Sequence, residues 1–172
     1  MIHVLTSQYF TFILSNSIIF QRWFQLKIIQ ATTQQAFFDE MMIRGSVFVD
    51  EQKVPSAIEI DPDDRTASHF VAYTDQGEPA SCLRLVFKDT KVKIGRVATL
   101  PKFRGQGLAK ALMLHIETLP EVQAKEQIYL DAQLSALSFY QKLGYRIEGD
   151  VFEEAGILHQ TVSKQTCPQV KD

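Results

Sequence analysis

The 172-residue chain is poor in cysteine, with two, and holds a single tryptophan. Neither sign of charge dominates it, and it contains no unbroken apolar run long enough to cross a bilayer. Two cysteines, Cys82 in an apolar run and Cys167 in a polar C-terminal tail, are too few for a metal cluster or a disulfide framework. They read as free thiols of a reducing compartment, which points to the cytoplasm and to no metal. With 18 basic against 20 acidic residues, net charge −2, there is no basic excess of the kind a nucleic-acid surface needs. Charge is scarcest at the start, where residues 1–21 contain no Asp, Glu, Lys or Arg. The apolar stretch Tyr9 to Phe20 is broken by Ser and Asn, is too short to span a membrane, and lacks the basic region that precedes a secretory signal. Residues 1–24 are read as an N-terminal extension (an added strand or helix, or the product of an upstream start codon), and no membrane partner is expected. What is present, 22% charged and 45% hydrophobic residues, is the composition of one soluble domain.

Periodicity then sets the element order. Gln25–Ala31 suits a first strand. A helix follows with Thr33 as N-cap and Phe37, Met41 and Met42 on its apolar face, running toward Arg44. It gives way to Val47–Pro55, halted by the proline, and to an acidic loop, Ile58–Asp64. Ser68–Tyr73 and Ala80–Phe87 read as strands joined by the turn at Asp75-Gln-Gly77. A turn at Lys88–Lys91 leads to a strand over Val92–Thr99. After Pro101 a helix opens at Arg104-Gly-Gln-Gly-Leu-Ala109, with Leu108, Ala111, Leu112 and Ile116 on one face. Gln127–Ala132 is a further strand, Ser135–Leu143 a helix closed by Gly144, and Tyr145–Phe152 with Ile157–Val162 a final hairpin. Residues 25–164 form the single domain, and 165–172 read as a flexible tail.

The strongest local chemistry lies where the strand ending at Thr99 meets Arg104-Gly-Gln-Gly-Leu-Ala109. A helix N-terminus leaves N–H groups without internal partners, and its dipole favours negative charge. Glycines there let main chain approach a diphosphate closely, and the Arg104 side chain adds one positive charge. A dinucleotide fingerprint or a P-loop demands other residues after Gly107 than Leu108, Ala109 and Lys110.

Here the sequence resembles the GNAT acetyltransferase superfamily. Its acetyl-CoA loop, Arg/Gln-x-x-Gly-x-Gly/Ala, is matched by Arg104, Gly107 and Ala109. Its second signature, a helix ending in Tyr-x-Lys-x-Gly-Phe/Tyr, is matched about thirty residues on by Phe139-Tyr-Gln-Lys-Leu-Gly-Tyr145. Val47–Pro55, Glu59-Ile-Asp61, Asp64, His69, Arg84, Gly95-Arg-Val97 and Ala155–His159 further resemble its ElaA-like subgroup. The resemblance covers roughly Gln25 to Lys164 and makes 25–164 a GNAT domain. It implies an α/β (α+β) fold: a mixed, mostly antiparallel, twisted sheet of about six to seven strands flanked by helices and splayed between strands four and five. It implies acetyl-CoA as co-substrate. The pantetheine arm would lie against main chain near Val97 and Thr99, with the diphosphate on the N–H groups along Gly105, Gln106, Gly107, Leu108 and Ala109. The Asn that many members carry seven residues before the helix tyrosine is Gln133 here, a longer amide with the same hydrogen-bonding groups.

The resemblance further implies an N-acetyltransferase acting on a primary amine of a small molecule or peptide, with Tyr140 giving a proton to the departing thiolate. GNAT proteins are often dimers, so a homodimer is the expected assembly. The amine needs a base: Glu59 and Asp61 are the first candidates, with His69 and His159 behind them. Arg44, Glu59, Asp61, His69, Arg84 and His159 are the expected substrate-facing set, an acidic mouth suited to a cationic amine such as a polyamine, a lysine or an amino sugar. The competing reading of these carboxylates is a structural ion-pair network. Two other functions stay open. Arg44, Phe48, Glu59-Ile-Asp-Pro-Asp-Asp64 and Arg84 also resemble, in this order, acyl-homoserine-lactone synthases. A non-catalytic acyl-CoA-binding module would bind acetyl-CoA and turn over no amine.

Overall fold

Alternation of buried side chains builds the sheet. In the computed structural model, which describes residues 26–166, β1 (Lys27–Gln30), β2 (Ser68–Tyr73), β3 (Pro79–Phe87) and β4 (Lys91–Thr99) form an antiparallel meander. β5 (Gln127–Gln133) joins β4 in parallel, and β6 (Arg146–Glu154) and β7 (Ile157–Gln165) close the far side, for the order β1-β2-β3-β4-β5-β7-β6. This is the splayed, mostly antiparallel sheet expected. Period two in β2 sends Phe70 and Ala72 to one face and Val71 to the other. The larger core gathers Phe70, Leu83, Leu85 and Ile94 under Leu112, Met113 and Ile116 of α3 (Leu108–Glu117). The smaller one, Val71, Cys82 and Ala98, packs under Ile43 of α1 (Gln34–Arg44) and Val47. Both faces of the sheet are thereby covered at β2 and β3, whereas β6 is exposed along its length.

α1 starts as expected, Thr33 accepting a hydrogen bond from Ala36 N. Its buried face differs from the expected one. Phe37 and Met41 are half-buried and Met42 is 48% exposed, while Ala36, Glu40, Ile43 and Arg44 are buried. Two charges occupy the inner stripe because each finds an ionic partner there, as the site below shows. Nor does the helix end at Arg44: it continues as a π-helix over Gly45–Glu51, Gln52 N bonding to Val47 O at 3.1 Å. The acidic loop contains a single turn, α2 (Ser56–Glu59), and a 3₁₀ turn, Pro62–Arg65, capped by Asp61.

After α4 (Pro120–Gln123) and β5, a 3₁₀ turn leads into α5 (Leu137–Lys142), shorter than expected. It stops at Gly144, φ +89°. Tyr145, 3% exposed, then enters the core, its hydroxyl donating to Glu117 Oε1 at 3.0 Å. β7 runs to Gln165, so the sheet takes in the first residue of the segment read as tail, and the next, Thr166, donates its N–H to Glu126 O. The N-terminal extension lies outside the described residues. Among those described, no helix is long and apolar enough to cross a membrane.

Candidate active site

Parallel pairing of β4 with β5 lasts three residues, Lys91↔Gln127 to Lys93↔Tyr129, while β5 keeps pairing with β7 to Gln133↔His159. From Ile94 onward the two strands part, leaving main chain of β4 unpaired on that side. A bulge marks the divergence: Arg96 and Val97 stand opposite Leu83 alone, and Arg96 takes φ +54°. Arg96 holds this strained backbone by reaching across the gap, its Nε and Nη2 donating to Glu59 O at 3.0 and 2.9 Å. The result is a cleft of about 450 Å³ whose walls include Val97, Gln133, Tyr140, Glu59, Asp61 and His159.

β4 delivers the chain from Thr99, which shares a 2.8 Å hydrogen bond with Ser81 Oγ, to the glycine loop. Gly105 (φ +74°) and Gly107 (φ +82°) adopt the left-handed backbone that side-chain-bearing residues resist. Gly107 caps α3, its carbonyl accepting from Ala111 N at 2.9 Å. Among the described residues, no N–H from Gly105 through Lys110 has a protein acceptor. Gln106 braces the loop through Lys102 O, and Leu108 is buried beneath it. Arg104 departs from expectation: its guanidinium forks onto Glu51, at 2.8 and 2.5 Å, and donates to Thr99 O. It ties the loop to the end of the π-helix.

Opposite, the acidic segment folds into an ion-pair network. Arg44, 0% exposed, donates to Glu59 Oε1 (2.6 Å), Glu59 O (2.9 Å) and both oxygens of Asp64 (2.8 and 3.0 Å), and reaches Glu40 at 3.4 Å. Arg84 forks onto Asp61 (2.8 and 2.5 Å) and also binds Asp64, its side chain passing over Gly95. The Arg84 hydrogen bonds, reinforced by Arg96, hold the Asp61 carboxyl below its ordinary range. Asp64, although burial opposes ionisation, is held lower still by Arg44, Arg84 and the Asp61 amide. Asp61 is thus saturated by cations and is a poor base. Glu59 lines the cleft with only Oε1 taken by Arg44.

Arg44 and His69 leave the substrate-facing set, because neither lines the cleft. His69 Nδ1 lies 2.7 Å from Glu40 Oε2, an ion pair misaligned for a hydrogen bond, and its Nε2 lies 3.0 Å from Asp64 O. Burial alone would lower the His69 pKa. The Glu40 carboxylate and the Asp64 carbonyl outweigh it and raise it. A raised histidine stabilises the fold fully below the unfolded value, about 6.5, and that stability is lost as pH rises through the folded value. Depressed Asp61 and Asp64 do the opposite, losing their contribution as pH falls below about 3.8. Denaturant midpoints are therefore expected to peak between about pH 4 and 6.5. His69→Gln should flatten the alkaline slope, and an unchanged slope would remove His69 from this account.

On the sheet side, α5 sets Tyr140 into the cleft wall. Its ring is 6% exposed and packs edge-on against Phe139 (5.0 Å) and Tyr145 (6.1 Å). Among the described residues its hydroxyl has no partner, and it is not sealed from the cleft. Burial raises its pKa, so the phenol keeps its proton at neutral pH. Gln133 donates to Gln52 Oε1 at 2.9 Å, joining the end of β5 to the π-helix. Three contributors escaped sequence reading. Gln52 lay in the Val47–Pro55 motif with no role read for it, the ion pair of Lys93 with Asp131 (2.7 Å) needs the β4–β5 register, and the Arg96 backbone shows only in the bulge.

The profile described as "Acetyltransferase (GNAT) domain" matches residues 28–166. The uncharacterized N-acetyltransferase YjcF of Bacillus subtilis is 32% identical over 140 residues, 81% of this chain and 99% of its own. Escherichia coli ElaA is 30% identical over 131 residues, 73% of this chain and 84% of its own. Its crystal structure superposes with TM-score 0.70, covering 82% of this chain and 99% of that one. A putative N-acetyltransferase from Lactobacillus plantarum superposes with TM-score 0.77 at 26% identity, covering 83% of this chain and 99% of that one.

Proposed function

Because this chain belongs to the GNAT acetyltransferase family, we propose that it moves the acetyl group of acetyl-CoA to a primary amine of a small molecule or peptide, by direct attack of the amine on the thioester. One observation carries the reading: β4, which forms one wall of the β4–β5 cleft, leads on to a helix N-terminus whose N–H groups, Gly105 through Lys110, have no protein acceptor among the described residues. Those amides fit a diphosphate. The unpaired edge of β4 beyond Lys93, around Val97, fits an extended amide-bearing arm that bonds like an added strand.

Acetyl-CoA supplies an activated acyl thioester. The chain's own groups must supply the rest. A lysine-like amine with a pKa of about 10.4 costs about 4.6 kcal/mol to deprotonate at pH 7, so the site needs a proton acceptor. At the other end Tyr140, kept protonated by burial, donates a hydrogen bond to charge developing on sulfur and gives up its proton as that charge matures. On the cleft lining the carboxylates Glu59, Asp61, Asp63, Asp131 and Glu154 outnumber the cations Arg84, Lys93 and Arg96, a balance that favours a cationic acceptor. The residues shared in order with acyl-homoserine-lactone synthases are largely accounted for by the ion-pair network. A cytoplasmic location and a homodimer go with the reading; a fully buried, free Cys82 suits the former.

The test is calorimetry with coenzyme A and acetyl-CoA, followed by thiol release across a panel of amines. Binding together with amine-dependent release is expected. Binding without release from any amine would favour the non-catalytic module, and no binding of either nucleotide would end the reading.

A further inference from the structure

The geometry points to His159 as the group that takes the proton from the attacking amine, an assignment that rests on the reading above and names its missing base. His159 lies on β7 in the cleft wall, opposite Gln133 of β5. Its Nδ1 is 2.8 Å from Ile157 O. A carbonyl oxygen only accepts, so Nδ1 carries the hydrogen, and in the neutral ring Nε2 presents a lone pair. Among the described residues Nε2 has no partner, and it is not sealed from solvent. The ring is held by stacking on Phe152 of β6, centroids 6.0 Å apart and planes at 23°. Orientation, tautomer and access are therefore all set.

The surrounding charges suit a ring that becomes cationic. Asp131 pairs with Thr161 across β5–β7 and accepts from its hydroxyl at 2.7 Å, so it shares a sheet face with His159, two residues along β7. Such diagonal neighbours stand roughly 7–8 Å apart. Lys93 of β4 binds the other Asp131 oxygen at 2.7 Å and has Glu154 of β6 nearby. Across the cleft Asp61 is consumed by Arg84 and Arg96, and Glu59 shares its Oε1 with Arg44. An imidazole titrates nearer neutral pH than a carboxylate and is the better-matched base.

Over one turnover the ammonium nitrogen gives up two protons. His159 Nε2 takes the first and passes it to solvent. The second, released from nitrogen as the amide forms, returns through solvent to the Tyr140 phenolate, whose own proton has gone to the leaving sulfur, so coenzyme A departs as the thiol. The C–N bond forms as the C–S bond breaks, and nothing is oxidised or reduced.

The experiment compares wild type, His159→Gln and His159→Ala, using acetyl-CoA with spermidine, an Nα-blocked lysine and glucosamine as probes. Melting temperature and acetyl-CoA affinity are measured alongside. Wild type is expected to gain kcat/KM with rising pH through one ionisation. His159→Gln should lower kcat/KM at neutral pH by on the order of 10² and lose that limb, with acetyl-CoA affinity unchanged. Added imidazole should partly restore His159→Ala. A variant that keeps the wild-type rate and pH profile overturns the assignment, as does one that loses acetyl-CoA binding or folding in step with activity. If wild type binds acetyl-CoA yet acetylates none of the probes, the assignment is overturned together with the transferase reading. If wild type binds no acetyl-CoA, the cofactor reading itself has failed.

Discussion

Arg44→Ala is expected to cost on the order of 3–5 kcal/mol, the range for removing one partner of a buried ion pair. The guanidinium is 0% exposed and answers Glu40, Glu59 and Asp64 at once. Without it, buried carboxylate charge must be carried by Arg84, Arg96 and His69 alone, two of which are already committed to Asp61 or to main chain. A domain of this size has only about 5–15 kcal/mol to lose, so the denaturation midpoint should fall by about a fifth or more, with an unchanged slope against denaturant. Arg44→Lys should restore little of it. An ammonium is a point charge that cannot fork onto Asp64 while also reaching Glu59 Oε1 and Glu59 O. A midpoint within error of wild type for Arg44→Ala would mean that the network contributes nothing to folding.

Tyr140→Phe should lower turnover at least tenfold, about 1.4 kcal/mol in barrier, and leave acetyl-CoA affinity nearly as it was. The substitution keeps the ring that packs against Phe139 and Tyr145. It removes a hydroxyl that has no partner among the described residues, so no buried acceptor is orphaned and the fold should be indifferent. Loss of rate without loss of stability separates a proton donor from a core aromatic. Unchanged single-turnover rates would take Tyr140 out of the mechanism.

The glycine loop and the Tyr140 helix were legible because their constraints are local. A positive φ at Gly105 and Gly107, free N–H groups at a helix start and a stop at Gly144 follow from a few consecutive residues. α1 misled for the opposite reason. Helical periodicity sends charge outward and apolar residues inward, yet Glu40 and Arg44 lie inside and Met42 outside. Their partners, Glu59, Asp64 and His69, come from 15 to 29 residues further on, beyond the reach of helical periodicity. The partner of Arg104 was hidden in the same way: its charge reads in the sequence as a phosphate contact, and Glu51, 53 residues earlier, takes up its guanidinium.

By itself, then, the sequence determined the order of strands and helices, the glycine turn that opens α3 and the motif residues around Tyr140, since each depends on backbone preferences a few residues long. Only the tertiary structure decided which charges face the cleft and which are spent holding it open. A carboxylate's role depends on what stands within about 4 Å of it, and for Glu59, Asp61, Asp131 and His159 those neighbours are set by strand register and by the divergence of β4 from β5.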